Sequence, residues 1–163
     1  MSIKDGILIE NQREADNTRR IIERLKDENA SWKPHQKSMS ALQLASHIVE
    51  LHLWLKTALE RDNFNFHTDY VPLKAASFAE LQDILAKGVE NNINFVNSTD
   101  ENFWLQTYTL KAGDHVITTL PRIGALRFII NNHLIHHRGQ LSLYLRMLDI
   151  PVPGLYGPSA DEA

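Results

Sequence analysis

The stretch Asn132-His133-Leu134-Ile135-His136-His137-Arg138-Gly139-Gln140 holds three of the chain's eight histidines. It lies inside an apolar run from Ile123 to Leu148 that has no internal proline. That run predicts one long helix from Pro121 to about Leu148. Pro121 falls in the first turn, where a missing N–H does no harm, and Pro151 and Pro153 stop the helix beyond its end. At 3.6 residues per turn His133 and His137 project from one side. Leu126, Ile130, Leu141, Tyr144 and Leu148 share that side, so both imidazoles are expected to face inward. A buried imidazole needs a partner, and two neutral imidazoles at this spacing can share a metal ion. Hydrogen bonds to backbone or water would satisfy the pair equally well.

A third inward histidine tips the balance toward metal. Ser40 with Gln43 fits a capping box and opens a predicted helix running to about Arg61. Leu44, His47, Leu51, Trp54 and Ala58 mark one face of it, and His47 stands where a leucine is expected. The chain has no cysteine, which removes disulfides, thiolate ligands and a cysteine nucleophile together. His47, His133 and His137 would then form an all-imidazole site with an open position, the form that suits catalysis. Such donors suit zinc, nickel, iron or copper rather than magnesium or calcium. The sequence His-Leu-Ile-His-His lacks the glutamate of the H-E-x-x-H helix, so a zinc-protease reading fails.

The candidate catalytic residues are Glu50, one turn past His47, and Gln140, on the His137 side of its helix. Glu50 could orient a histidine or move a proton; its alternative is a solvated helix residue. His136 points roughly 100° away from His137 and is expected beside the site. Arg138 is expected to pair with an acid at a helix interface, and Tyr144 to belong to the core. His35, His52, His67 and His115 are read as surface residues, with His52 half exposed. Gly139 costs about 1 kcal/mol relative to alanine inside a helix, and is expected to permit close approach of a neighbour.

The rest of the chain supplies the scaffold. A helix from Asp5 to about Glu28 carries Ile7, Asn11, Ala15, Thr18, Ile22 and Leu25 on one stripe and is expected at the surface of the bundle. Ser77 with Glu80 fits a second capping box and opens a helix to about Thr99, with Leu81, Leu85, Gly88 or Val89, Asn92 and Val96 forming its stripe. Thr107–Leu110 and His115–Thr119 alternate as strands around Lys111-Ala112-Gly113-Asp114. Residues 62–76 read as an irregular link, Trp32 as a plug at one end of the core, and residues 154–159 as a strap. The fold expected for residues 1–163 is a single all-α domain, a four-helix bundle with a short β-hairpin between helices 3 and 4.

Net charge is −3 and the sequence pI near 6.2, which gives no basic surface for nucleic acid. No stretch reaches ~18 uninterrupted apolar residues, so no membrane span is expected. Residues 1–10 carry an early acid and no long apolar run, so no signal peptide is read there. A cytoplasmic location is the expectation.

Taken together, His136-His137-Arg138-Gly139-Gln140, Leu44-Ala45-Ser46-His47-Ile48 and the closing Tyr156-Gly157-Pro158-Ser159 resemble the DinB/YfiT-like family over nearly the whole chain. The resemblance implies a metal-binding four-helix bundle, a histidine triad at His47, His133 and His137, and a homodimer. Zinc or nickel is the implied ion, with iron as a further choice. Members of that family with assigned activity use low-molecular-weight thiols, so the resemblance implies a metal-dependent enzyme joining a small thiol to an electrophile. A metal-dependent hydrolase and a non-catalytic metal- or ligand-binding dimer are the alternatives. The family name implies no DNA chemistry.

Overall fold

The computed structural model describes residues 1–162. Helix α1 spans Ile3–Ile22, α2 Ala41–Thr57 and α3 Phe78–Ser98. A short helix α4, Glu101–Leu105, precedes strands β2, Thr107–Ala112, and β3, His115–Pro121; β1 is Asn63–Asn65. The final helix starts as α5, Arg122–Ala125, widens into a π-helical turn over Leu126–Asn131, and continues as α6, Asn132–Met147. Helix α2 packs against both α3 and α6, and α1 packs against α3.

The helix starts are written in the sequence. Ser40 Oγ accepts from Gln43 N, and Gln43 Oε1 accepts in return from Ser40 N. At α3 the exchange is incomplete. Ser77 accepts from Glu80 N, but the Glu80 carboxylate takes the N–H of Ala76 instead. Helix α1 ends six residues before the expected Glu28, and Asp27–Asn29 form a single 3-10 turn. Its stripe is deeply buried, with Thr18 and Ile21 fully enclosed, so α1 is a core helix rather than a surface one.

The all-α expectation needs correction: the chain is mostly helical, and its sheet is more than a hairpin. Strands β2 and β3 pair antiparallel around Gly113-Asp114, where Gly113 supplies the positive φ of 61° that the tight turn requires. Strand β1 adds to β2 in parallel, with Asn63 opposite Thr109 and Asn65 opposite Lys111. Asn-Phe-Asn has poor strand propensity. It is held from outside: Asn65 Oδ1 accepts from Gly113 N at 2.8 Å, and Phe64 packs 5.4 Å from Trp54.

Arg122 joins the sheet to the helices. It is about 1% exposed. Its guanidinium donates to the carbonyls of Leu59 and Arg61, to Gln106 Oε1 and to Asp62, and lies 4.2 Å above the Phe103 ring. One buried cation thus ties the end of α2, the start of β1 and the start of the last helix.

The π turn sets the angular phase of the functional helix. Leu126, Ile130, Leu134, Arg138, Leu141 and Leu145 are all buried, although three successive spacings of four would drift by about 120° on a regular helix. One extra residue absorbed in a π turn cancels most of that drift. His133 and His137 stand one residue to the side of this face, half-buried, which places them at the edge of the core rather than inside it.

Candidate metal centre

Helices α2 and α6 bring the three histidines together. His47 Nε2 lies 3.4 Å from His133 Nε2, and His137 Nε2 lies 2.8 Å from the same atom. The three residues each offer a nitrogen within 4.8 Å of the others. Ligands of tetrahedral zinc at about 2.0–2.1 Å stand roughly 3.3 Å apart, and the two measured separations bracket that value.

The other ring nitrogens decide which tautomer faces the centre. His47 Nδ1 is 2.8 Å from Glu50 Oε2, and His137 Nδ1 is 2.7 Å from Gln140 Oε1. A carboxylate only accepts, so His47 carries its proton on Nδ1 and turns the lone pair of Nε2 inward. The amide oxygen of Gln140 does the same for His137. Burial, followed by the charges of His137 and His47, pushes the His133 imidazole down to about 4. Burial also lowers His137, against a raising hydrogen bond from Gln140. Neutral imidazoles with inward lone pairs are the form a metal needs, so these residues fit a divalent ion and could hold one.

Glu50 is buried, not solvated. Besides His47, its carboxylate accepts from Tyr70 Oη at 3.2 Å and from Leu73 N at 2.7 Å. Burial and the Glu50 charge raise the pKa of Tyr70 above its ordinary value. Gln140 is exposed at the rim. Sequence reasoning missed Tyr70 and Leu73, because residues 62–76 carry no periodicity. The one signal there was Tyr-Val-Pro-Leu, an apolar cluster inside a polar link.

His136 is exposed beside the site, its ring 5.0 Å from that of His137. Arg138 does pair with an acid across a helix interface. It is fully buried and donates to the Glu14 carboxylate and carbonyl, to Thr18 Oγ1 and to Tyr156 Oη. Tyr156 Oη in turn donates to Glu14, so the strap closes over this pair. Tyr144 belongs to the core, its hydroxyl donating to Met39 O and its ring 5.2 Å from Trp32.

His35, His67 and His115 are exposed as expected. His52 is not: it is 4% exposed and its Nε2 lies 2.9 Å from Thr18 Oγ1. The expectation failed because α2 is buried on nearly every side and has no outer face for His52 to occupy. Gly139 is likewise not a close-packing position, since a Cβ there would meet nothing within 4 Å. That role falls to Gly88, where a Cβ would stand 2.3 Å from Leu53 Cδ2.

A family model for the DinB family matches residues 1–163. The chain belongs to the DinB family. Among curated proteins it is 24% identical over 149 residues to the uncharacterized protein YrdA of Bacillus subtilis, spanning 91% of this chain and 85% of that one. Two crystal structures share its fold. A DinB-like protein of Bacillus cereus superposes with a TM-score of 0.70 at 22% identity, over 93% of this chain and 97% of that one. The DinB-like protein YjoA of Bacillus subtilis gives 0.66 at 20% identity, over 97% and 99%. At these identities the likeness to the DinB structures carries the fold alone. No helix among the described residues is long and apolar enough to cross a membrane.

Proposed function

We propose that this DinB chain, read as a four-helix bundle, is a metal-dependent enzyme whose ion, zinc or nickel, is held by His47, His133 and His137. The single observation behind this reading is the convergence of three Nε2 atoms, two of them with Nδ1 anchored by Glu50 and Gln140. Three protein donors leave a position for an exogenous ligand. A divalent ion bound there lowers the pKa of a coordinated thiol or water.

Under this reading the reaction joins a small thiol to an electrophile, in line with the family resemblance; hydrolysis is the second choice. Glu50 is a positioning residue. Three donors occupy its carboxylate, and removing any of them to free a base would undo either the ligand His47 or the segment 70–73. Gln140, at the exposed rim, orients His137. The exposed apolar residues Phe128, Ile135, Leu143 and Met147 on the last helix support a homodimer.

Elemental analysis of protein purified without an affinity tag tests the centre. The expected result is about one divalent ion per chain, lost in His133→Ala. A fully loaded protein that turns over no combination of small thiols and electrophiles would remove the catalytic reading and leave a binding protein.

A further inference from the structure

A cleft of about 600 Å³ opens between the start of α2 and the segment 70–75. Its walls are largely apolar, with Met39, Leu42, Pro72, Leu73 and Ala75 among them. His47 and Glu50 lie in the same lining, and His47 is the one member of the triad that does. This size and character are those of clefts that enclose small organic ligands.

The charges in the lining are unequal in availability. Its acid is Glu50, already engaged by His47, Tyr70 and Leu73 N. Its cation is Lys74, which makes no ion pair among the described residues. Lys74 and Met39 are exposed, while Leu42 and Leu73 are half-buried, which puts the free positive charge at the mouth and the apolar surface along the walls. A ligand that matches both has an apolar body and one acidic group.

We propose that this cleft binds an amphipathic monoanion, its apolar part lying along Met39, Leu42 and Leu73 and its acidic group at Lys74. The inference deepens the reading of the metal centre, on which it rests only for the ligand's being a substrate. The cleft reaches that centre through Glu50. The carboxylate holds Leu73 N on one oxygen and His47 Nδ1 on the other, so the cleft wall and a histidine of the triad share one anchor.

The test uses octanoate, octanol and octylamine as probes, followed by the methyl NMR signals of Met39, Leu42 and Leu73 in protein of measured metal content. Octanoate is expected to shift these signals at lower concentration than octylamine. Lys74→Glu, a change at an exposed site, is expected to weaken octanoate by roughly five- to tenfold and to reverse the order of the two charged probes. Leu42→Trp, which fills the cleft, should abolish the Met39 and Leu73 shifts for all three probes. Equal binding of octanoate and octylamine, an unchanged order in Lys74→Glu, or shifts confined to other methyls would each overturn the proposal. Probe binding by a chain that takes up no metal would sink the metal reading and leave the cleft standing. Metal uptake without probe binding would do the opposite.

Discussion

Glu50 Oε2 accepts the Nδ1 proton of His47 across 2.8 Å, one helical turn along α2. The carboxylate thereby chooses the nitrogen that His47 presents to His133 and His137, and it does so while pinned by Tyr70 and Leu73. Partners of this kind are worth about 10–100-fold in metal affinity. Glu50→Ala is expected to lose about that factor in a chelator competition. Glu50→Gln retains an acceptor and should lose less. Gln140→Ala, acting on one exposed bond to His137, should fall at the low end. Unchanged affinity in Glu50→Ala would sink the positioning role.

The ion pair behind the site makes a different prediction. Arg138 follows His137 directly and is fully enclosed against Glu14, Thr18 and Tyr156. Removing one partner of a buried pair leaves an uncompensated charge, at a cost of about 3–5 kcal/mol. Urea unfolding of Glu14→Ala should show a loss in that range. Tyr156→Phe removes hydrogen bonds but leaves the charges paired, so about 1–3 kcal/mol is expected. If Glu14→Ala costs no more than Tyr156→Phe, the pair is not what fastens α1 to α6.

Acid should weaken the fold through His52. Burial, and then the Arg138 charge, holds its imidazole down to about 3, against about 6.5 in an unfolded chain. Below pH 6.5 the unfolded chain takes up a proton that the folded one refuses. The contribution of His52 is therefore complete above pH 6.5 and is lost as pH falls toward 3, by at most about 1.4 kcal/mol per pH unit. The groups around it are Thr18 and Glu14 on α1, Asn92 on α3 and Arg138 on α6. Denaturant midpoints should be followed in a His133→Ala background, which removes the titration of that residue and, under the proposed reading, the metal. His52→Gln should flatten the slope there, and an equal slope in both proteins would contradict the assignment.

These residues also mark how far the sequence could be read. The triad was legible because each histidine stands at helical spacing from apolar neighbours, which put the three on facing sides of two helices even though His133 and His137 lie one residue beside the buried face. Arg138 was legible as a pairing residue because it follows His137 on another side of the same helix, and a cation at a helix interface needs an acid. His52 was not, because α2 is enclosed on almost all sides and periodicity distinguishes faces only when one of them is wet. Strand β1 and the cleft wall at Tyr70–Leu73 are fixed by distant partners, Gly113 and Glu50, and carry no local pattern. The π turn was invisible for a related reason: it is a change of phase, and the stripe drawn through Leu126, Ile130 and His133 assumed a constant one.

Gly139 and Gly88 invite a paired test. Gly139 lies inside α6 with open space where a Cβ would be, whereas a Cβ on Gly88 would press on Leu53. Alanine restricts the unfolded chain and favours the helix, by up to about 1 kcal/mol. Gly139→Ala is therefore expected to raise the melting temperature by about 2–4 °C, the scale of 1 kcal/mol for a chain of this size. Gly88→Ala gains the same helical preference but must displace a leucine side chain packed between α2 and α3, so it should gain nothing or lose stability. Thermal unfolding of the two variants at several protein concentrations decides the matter. A Gly139→Ala protein that is less stable, and more so as concentration rises, would mean that a second copy of the chain packs on Gly139.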